Sequence, residues 1–403
     1  MKTRSKAVTV TAIRTKPYWY RTDRPFADAN FPKGRQEWAG LAVFIDTDEG
    51  LTGVSIGGNE AGIESLAPLV VGKDPAGVRG IWKSMVDQVF KGGNRGSITG
   101  AIAAIDIALW DLKAKAAGWP LWKLLGASEP RARAYASDIG YCLSDDELRS
   151  FYARMAARGV TAGKLKGGLD PERDLRRLRI MYEELAKAVP GGRGGSPDRP
   201  TAAPIEPLIC LDSNEYWNPK QAIPYIRTLE REMPLFWVEE PADRWDYEGL
   251  ARVSRAVEAQ VATGENLNDP KEVVPLLTHG AADVLQPNSG HSGITGMLMI
   301  ADLAYGFNIP VAVMNSPGNY LAHVAAALPN HLMIEVVDAG RDNWFTVDSR
   351  IEGGEVVLGD RPGLGWQIDL EKLEELAVPP AHHDAFNFGR RKGAGILIHG
   401  EAR

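Results

Sequence analysis

Eight short apolar runs follow one another from about residue 133, and the first seven are each succeeded by a stretch with helical periodicity. They are "RAYASDIGY", "AGKLKGG", "PLICLDSN", "LFWVEEP", "QVATGEN", "ADVLQPN", "IPVAVMN" and "LMIEVVD". Continuous apolar runs suit strands covered on both faces, as in a parallel sheet wrapped by helices. Eight such units in series predict a (β/α)8-type TIM barrel, an architecture of ~250 residues. A doubly wound sheet is the alternative, and so regular a series favours it less. One Gly/Pro-rich insertion, "PGGRGGSPDRPTAAPIEP" at 190–207, is expected to be a surface loop.

The preceding part reads as α+β. "AVTVTAI" alternates like a strand, and "LAVFIDTDEGLTGVSIG" reads as a hairpin turning over Asp46–Gly50. "SITGAIAAIDIALWDLKAKAAG" has helical spacing, an Asp inside its apolar face, and Gly118 to end it. At 403 residues the chain exceeds one ordinary core. The expected division is an α+β domain over 1–132, a barrel over 133–355, and a segment over 356–403 that packs back on the first domain.

Charge and composition exclude several classes. A net charge of −6 speaks against a nucleic-acid partner. Only Cys142 and Cys210 are present, too few for a disulfide framework or a Cys-rich metal site. The basic start "MKTRSKAVTVTAIRTK" alternates with threonines, unlike a signal peptide. No apolar run reaches the ~18 residues that cross a membrane. A cytoplasmic location is the expectation, with no membrane partner.

Chemistry in a barrel collects at the C-terminal ends of the strands. There stand Lys164 and Lys166, Asp212 and Asn214, Glu239 and Glu240, Glu265, Asn288, Asn315 and Glu335. One strand-end carboxylate is ordinarily a helix cap. Asp212, Glu239 and Glu265 end three successive strands, and three such charges at one mouth need neutralising. A hard divalent cation held by oxygen ligands does this. Lys164 and Lys166, two apart on a strand, point to the same face. A lysine beside another cation holds its proton less firmly, so neutral amine becomes available as a general base. The alternative for both is snorkelling to solvent at the rim.

These motifs, with "AIDIALWDLKAKAAGWPLWKLLG" and "QPN" followed by "GIT", closely resemble the mandelate racemase/muconate lactonizing enzyme branch of the enolase superfamily. The resemblance covers almost the whole chain. It implies an α+β capping domain over a modified (β/α)7β barrel, and Mg2+ on Asp212, Glu239 and Glu265. It also implies Lys166 as the base, Lys164 as its electrostatic partner, and a homo-oligomer acting on a small carboxylate substrate. This superfamily is a standard illustration of a Lys or His base working with Mg2+ on an ene-diolate.

The chain departs from many relatives at two places. Asn288 and Asn315 stand where an Asp and a His form a second base, and asparagine exchanges no protons near neutral pH. His291 is the next candidate for the opposite face, ahead of Tyr320 and His323, the latter expected to pack inside a helix. Glu335 is expected to hydrogen-bond substrate. "YWYRTDRPFADANFPKGRQEW" is expected to be a loop that closes the site, with Trp19, Tyr20, Arg21 and Arg24 facing an anionic substrate. The expected reaction is Mg2+-dependent abstraction of the proton α to a carboxylate, followed by dehydration of a sugar acid or other polyhydroxy acid. Racemisation, epimerisation or cycloisomerisation, and a non-catalytic carboxylate-binding relative, are the alternatives.

Overall fold

Strand pairing closes the eight apolar runs on themselves. In the computed structural model, which describes residues 8–93, 95–189 and 206–379, the strands are β4 (Arg131–Ser137), β5 (Ala162–Lys166), β6 (Leu208–Asp212), β7 (Trp237–Glu239), β8 (Gln260–Thr263), β9 (Val284–Leu285), β10 (Val311–Val313) and β11 (His331–Val336). Each pairs with the next, and β11 returns to pair in parallel with β4. Helices fill the connections: α5 (Asp145–Ala157), α6 (Pro171–Leu185), α7 (Pro219–Glu230), α8 (Tyr247–Ser254), α9 (Pro270–Thr278), α10 (Ser289–Gly306) and the short α11 (Ala322–Ala325). The chain is thus a closed parallel barrel. Most of the insertion read as a surface loop, residues 190–205, lies outside the described residues, as does the stretch beyond 379.

Before the barrel come β1 (Val10–Phe26), β2 (Arg35–Thr47) and β3 (Thr52–Ile56), an antiparallel sheet in that order. The helices α1 (Glu60–Leu66), α2 (Val78–Gln88), α3 (Ser97–Ala116) and α4 (Leu121–Leu124) follow. One expectation is corrected here: "YWYRTDRPF" is strand, not loop. β1 continues through it, pairing Tyr20 with Trp38 and Arg21 with Glu37. Pro17 is tolerated because β1 lies at the sheet edge, where a missing N–H leaves no ladder bond broken.

The Asp buried in α3 has a structural reason. Asp106 accepts from the N–H and hydroxyl of Thr295 on α10 (2.8 and 2.6 Å), and Asp111 accepts from the N–H groups of Val54 and Leu364 (both 2.8 Å). The Asp106 bonds fasten the first domain to the barrel, and the Asp111 bonds tie α3 to β3 and to the segment that follows the barrel. Past β11, β12 (Phe345–Val347) pairs with β15 (Trp366–Ile368), and between them the hairpin of β13 (Arg350–Glu352) and β14 (Glu355–Val357) pairs antiparallel, through β14, with the N-terminal end of β4. Helix α12 (Leu370–Leu376) then returns to β1, where Glu374 pairs with Lys16 at 2.6 Å. Among the described residues no helix is long and apolar enough to cross a membrane.

Alternation along the strands builds the barrel interior in tiers. Tyr135, Ala162, Cys210, Trp237, Ala262, Val284, Ala312 and Met333, one from each strand, form a buried apolar plug. Two residues further along each strand the next tier is Ser137, Lys164, Asp212, Glu239, Gly264, Gln286, Met314 and Glu335, all buried. Apart from Gly264 and Met314 it is polar. The change of tier, from apolar to charged, marks the floor of the site.

Candidate active site

Lys164 sits on the plug, its Nζ 5.9 Å from the centre of the Tyr135 ring. It contacts Asp212 (3.1 Å), Glu239 (2.7 Å) and Glu335 (2.9 Å). Lys166, two residues nearer the opening, places Nζ 2.5 Å from Asp212 Oδ2. β-sheet register explains this: Lys166 lies beside Asp212, and Asp212 beside Glu239, on neighbouring strands. Gln286 donates to the other Glu239 oxygen (2.8 Å). Asn315 donates its side-chain amide to Glu335 Oε2, and its backbone N–H approaches the same oxygen at 3.3 Å.

The electrostatics reverse one expectation. Lys164 was expected to lower the pKa of Lys166. Burial and Lys164 do depress it, but Asp212, Glu265 and Glu239 outweigh them and raise it above the ordinary lysine value. Lys164 is raised as well, because its burial is outweighed by Glu239, Glu335 and Asp212. Asp212, though fully buried, is held well below the carboxylate range by Lys166 and Lys164. Glu335 falls to about 2: burial opposes this, and Lys164, Lys166 and Asn315 prevail. Glu239 moves the other way, raised by burial and by Asp212. Glu265 is raised too, by burial first, with Asp212 and Glu335 adding to it against both lysines.

Four carboxylates therefore face two ammonium groups, and the two that rise show where positive charge is short. The donors are all oxygen, which suits a hard divalent cation. As they stand, Asp212 and Glu239 grip lysines, and among the described residues no three acidic, histidine or cysteine side chains already enclose one point. The residues fit a cation by charge and donor type, with the lysines acting as counter-charge in the arrangement seen.

The rim is strained. Ile139, Asn214, Glu215, Glu240 and Asp338, just past β4, β6, β7 and β11, have φ between 46° and 55°. Left-handed backbone is costly for such residues, above all for β-branched Ile139, and it collects at functional sites. Asn214 caps Asp212, its N–H donating to Oδ1 at 2.9 Å, and its carbonyl accepts from Asn30 of the loop over 27–34 (2.7 Å). Ala27 of the same loop donates to the Ile139 carbonyl (2.8 Å). The segment meeting the barrel mouth is thus shorter than expected.

Other expected site residues are placed elsewhere. Arg24 is buried and donates to the carbonyls of Asp138, Asp338 and Val337, locking β1 onto the ends of β4 and β11. Arg21 is engaged across the hairpin with Gln36 (2.8 Å) and Glu37 (3.4 Å). Tyr20 stacks on Tyr18 and lines a cleft between the first sheet and the barrel loops. Asn288 is the N-cap of α10, accepting from Gly290 at 2.8 Å. His291, in the first turn of the same helix, has its pKa lowered by burial and by Arg244. His323 is core: its Nδ1 accepts from the Trp122 N–H at 3.1 Å. Tyr320 shares a buried hydrogen bond with Ser289 (2.8 Å).

Two polar residues escaped the sequence reading. Gln286 lies two past Val284, and the alternation that found Asp212 would have found it. Asp138 is buried between Arg24 and Arg177 and its carboxyl is raised by burial. Nothing in its local sequence distinguishes it.

Two family models match: "Mandelate racemase / muconate lactonizing enzyme, N-terminal domain" over residues 10–126 and "Enolase C-terminal domain-like" over residues 147–373. The chain belongs to the mandelate racemase/muconate lactonizing enzyme branch of the enolase superfamily. It is 30% identical to the L-talarate/galactarate dehydratase of Salmonella typhimurium over 359 residues, 85% of each chain. It is also 30% identical to the 3,6-anhydro-alpha-L-galactonate cycloisomerase of Streptomyces coelicolor, over 84% of this chain and 91% of the other. The crystal structure of the Salmonella dehydratase liganded with Mg and L-lyxarohydroxamate superposes with a TM-score of 0.80 at 26% identity, covering 93% of this chain and 95% of that one. The resemblance read from the motifs, and the capped barrel it implied, both hold.

Proposed function

We propose that this superfamily member is a Mg2+-dependent dehydratase of a sugar acid, which removes the proton α to the carboxylate and expels the β-hydroxyl. The observation that carries the reading is the pair Lys164 and Lys166 on one face of β5, both within reach of Asp212. Relatives named as dehydratases of galactarate, arabinonate and mannonate support the reaction class.

Asp212, Glu239 and Glu265 would hold the ion. Bound there, Mg2+ supplies fixed positive charge against a substrate carboxylate whose negative charge grows as the proton leaves. Lys166 is the base: it lies nearer the opening, 6% exposed against 0% for Lys164, and an ion on Asp212, Glu239 and Glu265 would offset the carboxylates that raise its pKa. Lys164, pinned by three carboxylates, stays cationic and holds its charge beneath the substrate. Gln286 and Asn315 orient Glu239 and Glu335, so these carboxylates cannot swing toward the substrate's own charge. Asn288 caps a helix and Asn315 holds Glu335, which leaves the opposite face without an acid–base pair at those positions. That favours elimination from one face over racemisation. Cycloisomerisation is the second reading: it begins with the same proton abstraction, and the cycloisomerase relative is as similar as the dehydratase. A cytoplasmic, homo-oligomeric enzyme is part of the same proposal.

The test is a panel of sugar acids with Mg2+, followed by α-deuterium uptake in deuterated water and by formation of a 2-keto-3-deoxy acid. Mg2+-dependent exchange and a keto acid are expected. No exchange with any acid would defeat the proposal, and exchange with a cyclic isomer as product would establish the second reading.

A further inference from the structure

A cleft of about 370 Å³ lies between the first sheet and the barrel loops after β10 and β11. Tyr18, Tyr20 and Leu41 line it from the sheet, the Gly57–Gly58 turn from the end of β3, and Pro317 and Arg341 from the barrel. Arg341 is half-buried and makes no hydrogen bond or ion pair with any described residue. This is unusual here, since buried Arg24 and Arg177 and half-buried Arg244 are all engaged. The acidic groups nearby are occupied: Asp342 accepts from the Gly318 N–H (2.8 Å), and exposed Glu60 accepts from Thr15 (3.3 Å). A guanidinium offers five donors in a planar fork that matches a carboxylate.

The cleft adjoins the site. Pro317 follows Asn315 by two residues, so ~7 Å of backbone at most separates the cleft wall from the residue that holds Glu335. Arg341 follows Glu335 by six. A ligand with one carboxylate over Lys164 can extend along this edge under the first sheet. Phenol hydroxyls and the Gly57–Gly58 backbone suit the hydroxyl groups between its ends.

We infer that Arg341 binds a second, distal carboxylate, so that the substrate class is the dicarboxylic sugar acids rather than the monocarboxylic ones. The inference rests on the dehydratase reading for the position of the first carboxylate.

The experiment titrates the Mg2+-loaded wild type, Arg341→Met, Arg341→Gln and Arg341→Lys with six-carbon diacids and the matching monoacids, by calorimetry. Wild type should bind the best diacid at least about tenfold more tightly than its monoacid, as a charge-assisted bidentate contact implies. In Arg341→Met and Arg341→Gln that ratio should fall to about one, with Arg341→Lys between. Two such variants guard against a folding defect in either. The inference is overturned if wild type shows no preference for the diacid, if it binds neither acid, or if the preference survives in both neutral variants. Parallel α-deuterium exchange separates the two readings. An Arg341-dependent diacid preference without exchange defeats the dehydratase and keeps the subsite. Exchange with monoacids alone does the reverse.

Discussion

Lys166 Nζ stands 2.5 Å from Asp212 Oδ2, and that one oxygen is also 3.1 Å from Lys164. Asp212 therefore couples the two lysines, and their roles divide by what else each touches. Lys164 has Glu239 and Glu335 as well; among the described residues Lys166 forms an ion pair with Asp212 alone.

Lys166→Met is expected to lose α-proton exchange by on the order of 10³-fold while folding normally, because Asp212 keeps Lys164 as its partner. Lys164→Met leaves buried Glu239 and Glu335 without their cation, while Asp212 keeps Lys166, and should cost about 3 kcal/mol of stability as well as activity. Urea melts alongside exchange rates check both. Wild-type exchange in Lys166→Met would place the base elsewhere, with His291 examined first.

Glu265 and Asp212 should behave differently in the metal-free protein. Glu265 makes no lysine ion pair among the described contacts, and burial and neighbouring carboxylates raise its pKa. Glu265→Gln is thus expected to leave metal-free stability unchanged or improved, yet weaken Mg2+ binding tenfold or more by calorimetry. Asp212→Asn should destabilise the metal-free protein by roughly 3 kcal/mol, since both lysines lose a buried partner. Equal stability losses in the two variants would contradict the charge distribution described.

Stereochemistry tests the single-base reading. With Asn288 on a helix cap and Asn315 on Glu335, exchange in deuterated water should retain configuration, and the opposite α-epimer should not react. Chirality of the recovered acid, measured with its deuterium content, decides this. Net epimerisation that disappears in His291→Asn would reveal a second base.

Acid should loosen the fold at His323. Burial lowers this imidazole to about 4, from an ordinary value near 6.5. Between those values the unfolded chain binds the proton and the native state does not, so the contribution is full above pH 6.5 and is lost as pH falls toward 4. The loss is roughly 3 kcal/mol. His323→Gln should lose correspondingly less stability than wild type between pH 7 and 4.5 in urea titrations. Parallel losses in the two proteins would count against it.

Reading the sequence recovered the lysines and carboxylates because strand periodicity is local. A residue's face follows from its distance to the strand end, so Lys164, Lys166, Asp212 and Glu239 could be placed together without coordinates. Gln286 obeys the same rule and was legible in principle. Arg24 was not: its carbonyl partners lie more than a hundred residues away, just past β4 and β11. The extent of β1 was hidden as well, since aromatic and charged residues read as loop until a partner strand supplies their hydrogen bonds.

The sequence by itself determined the barrel, its family and the tier of charged side chains, since alternation and chain order carry that information. Only the tertiary structure settles which carboxylate holds which lysine, that the lysines' protons are held more firmly and not less, and that Arg341 has no hydrogen-bond or ion-pair partner among the described residues. Charge and hydrogen bonding act through space in a medium from which water is excluded. Their sign therefore depends on every group the fold brings near, however distant in the chain.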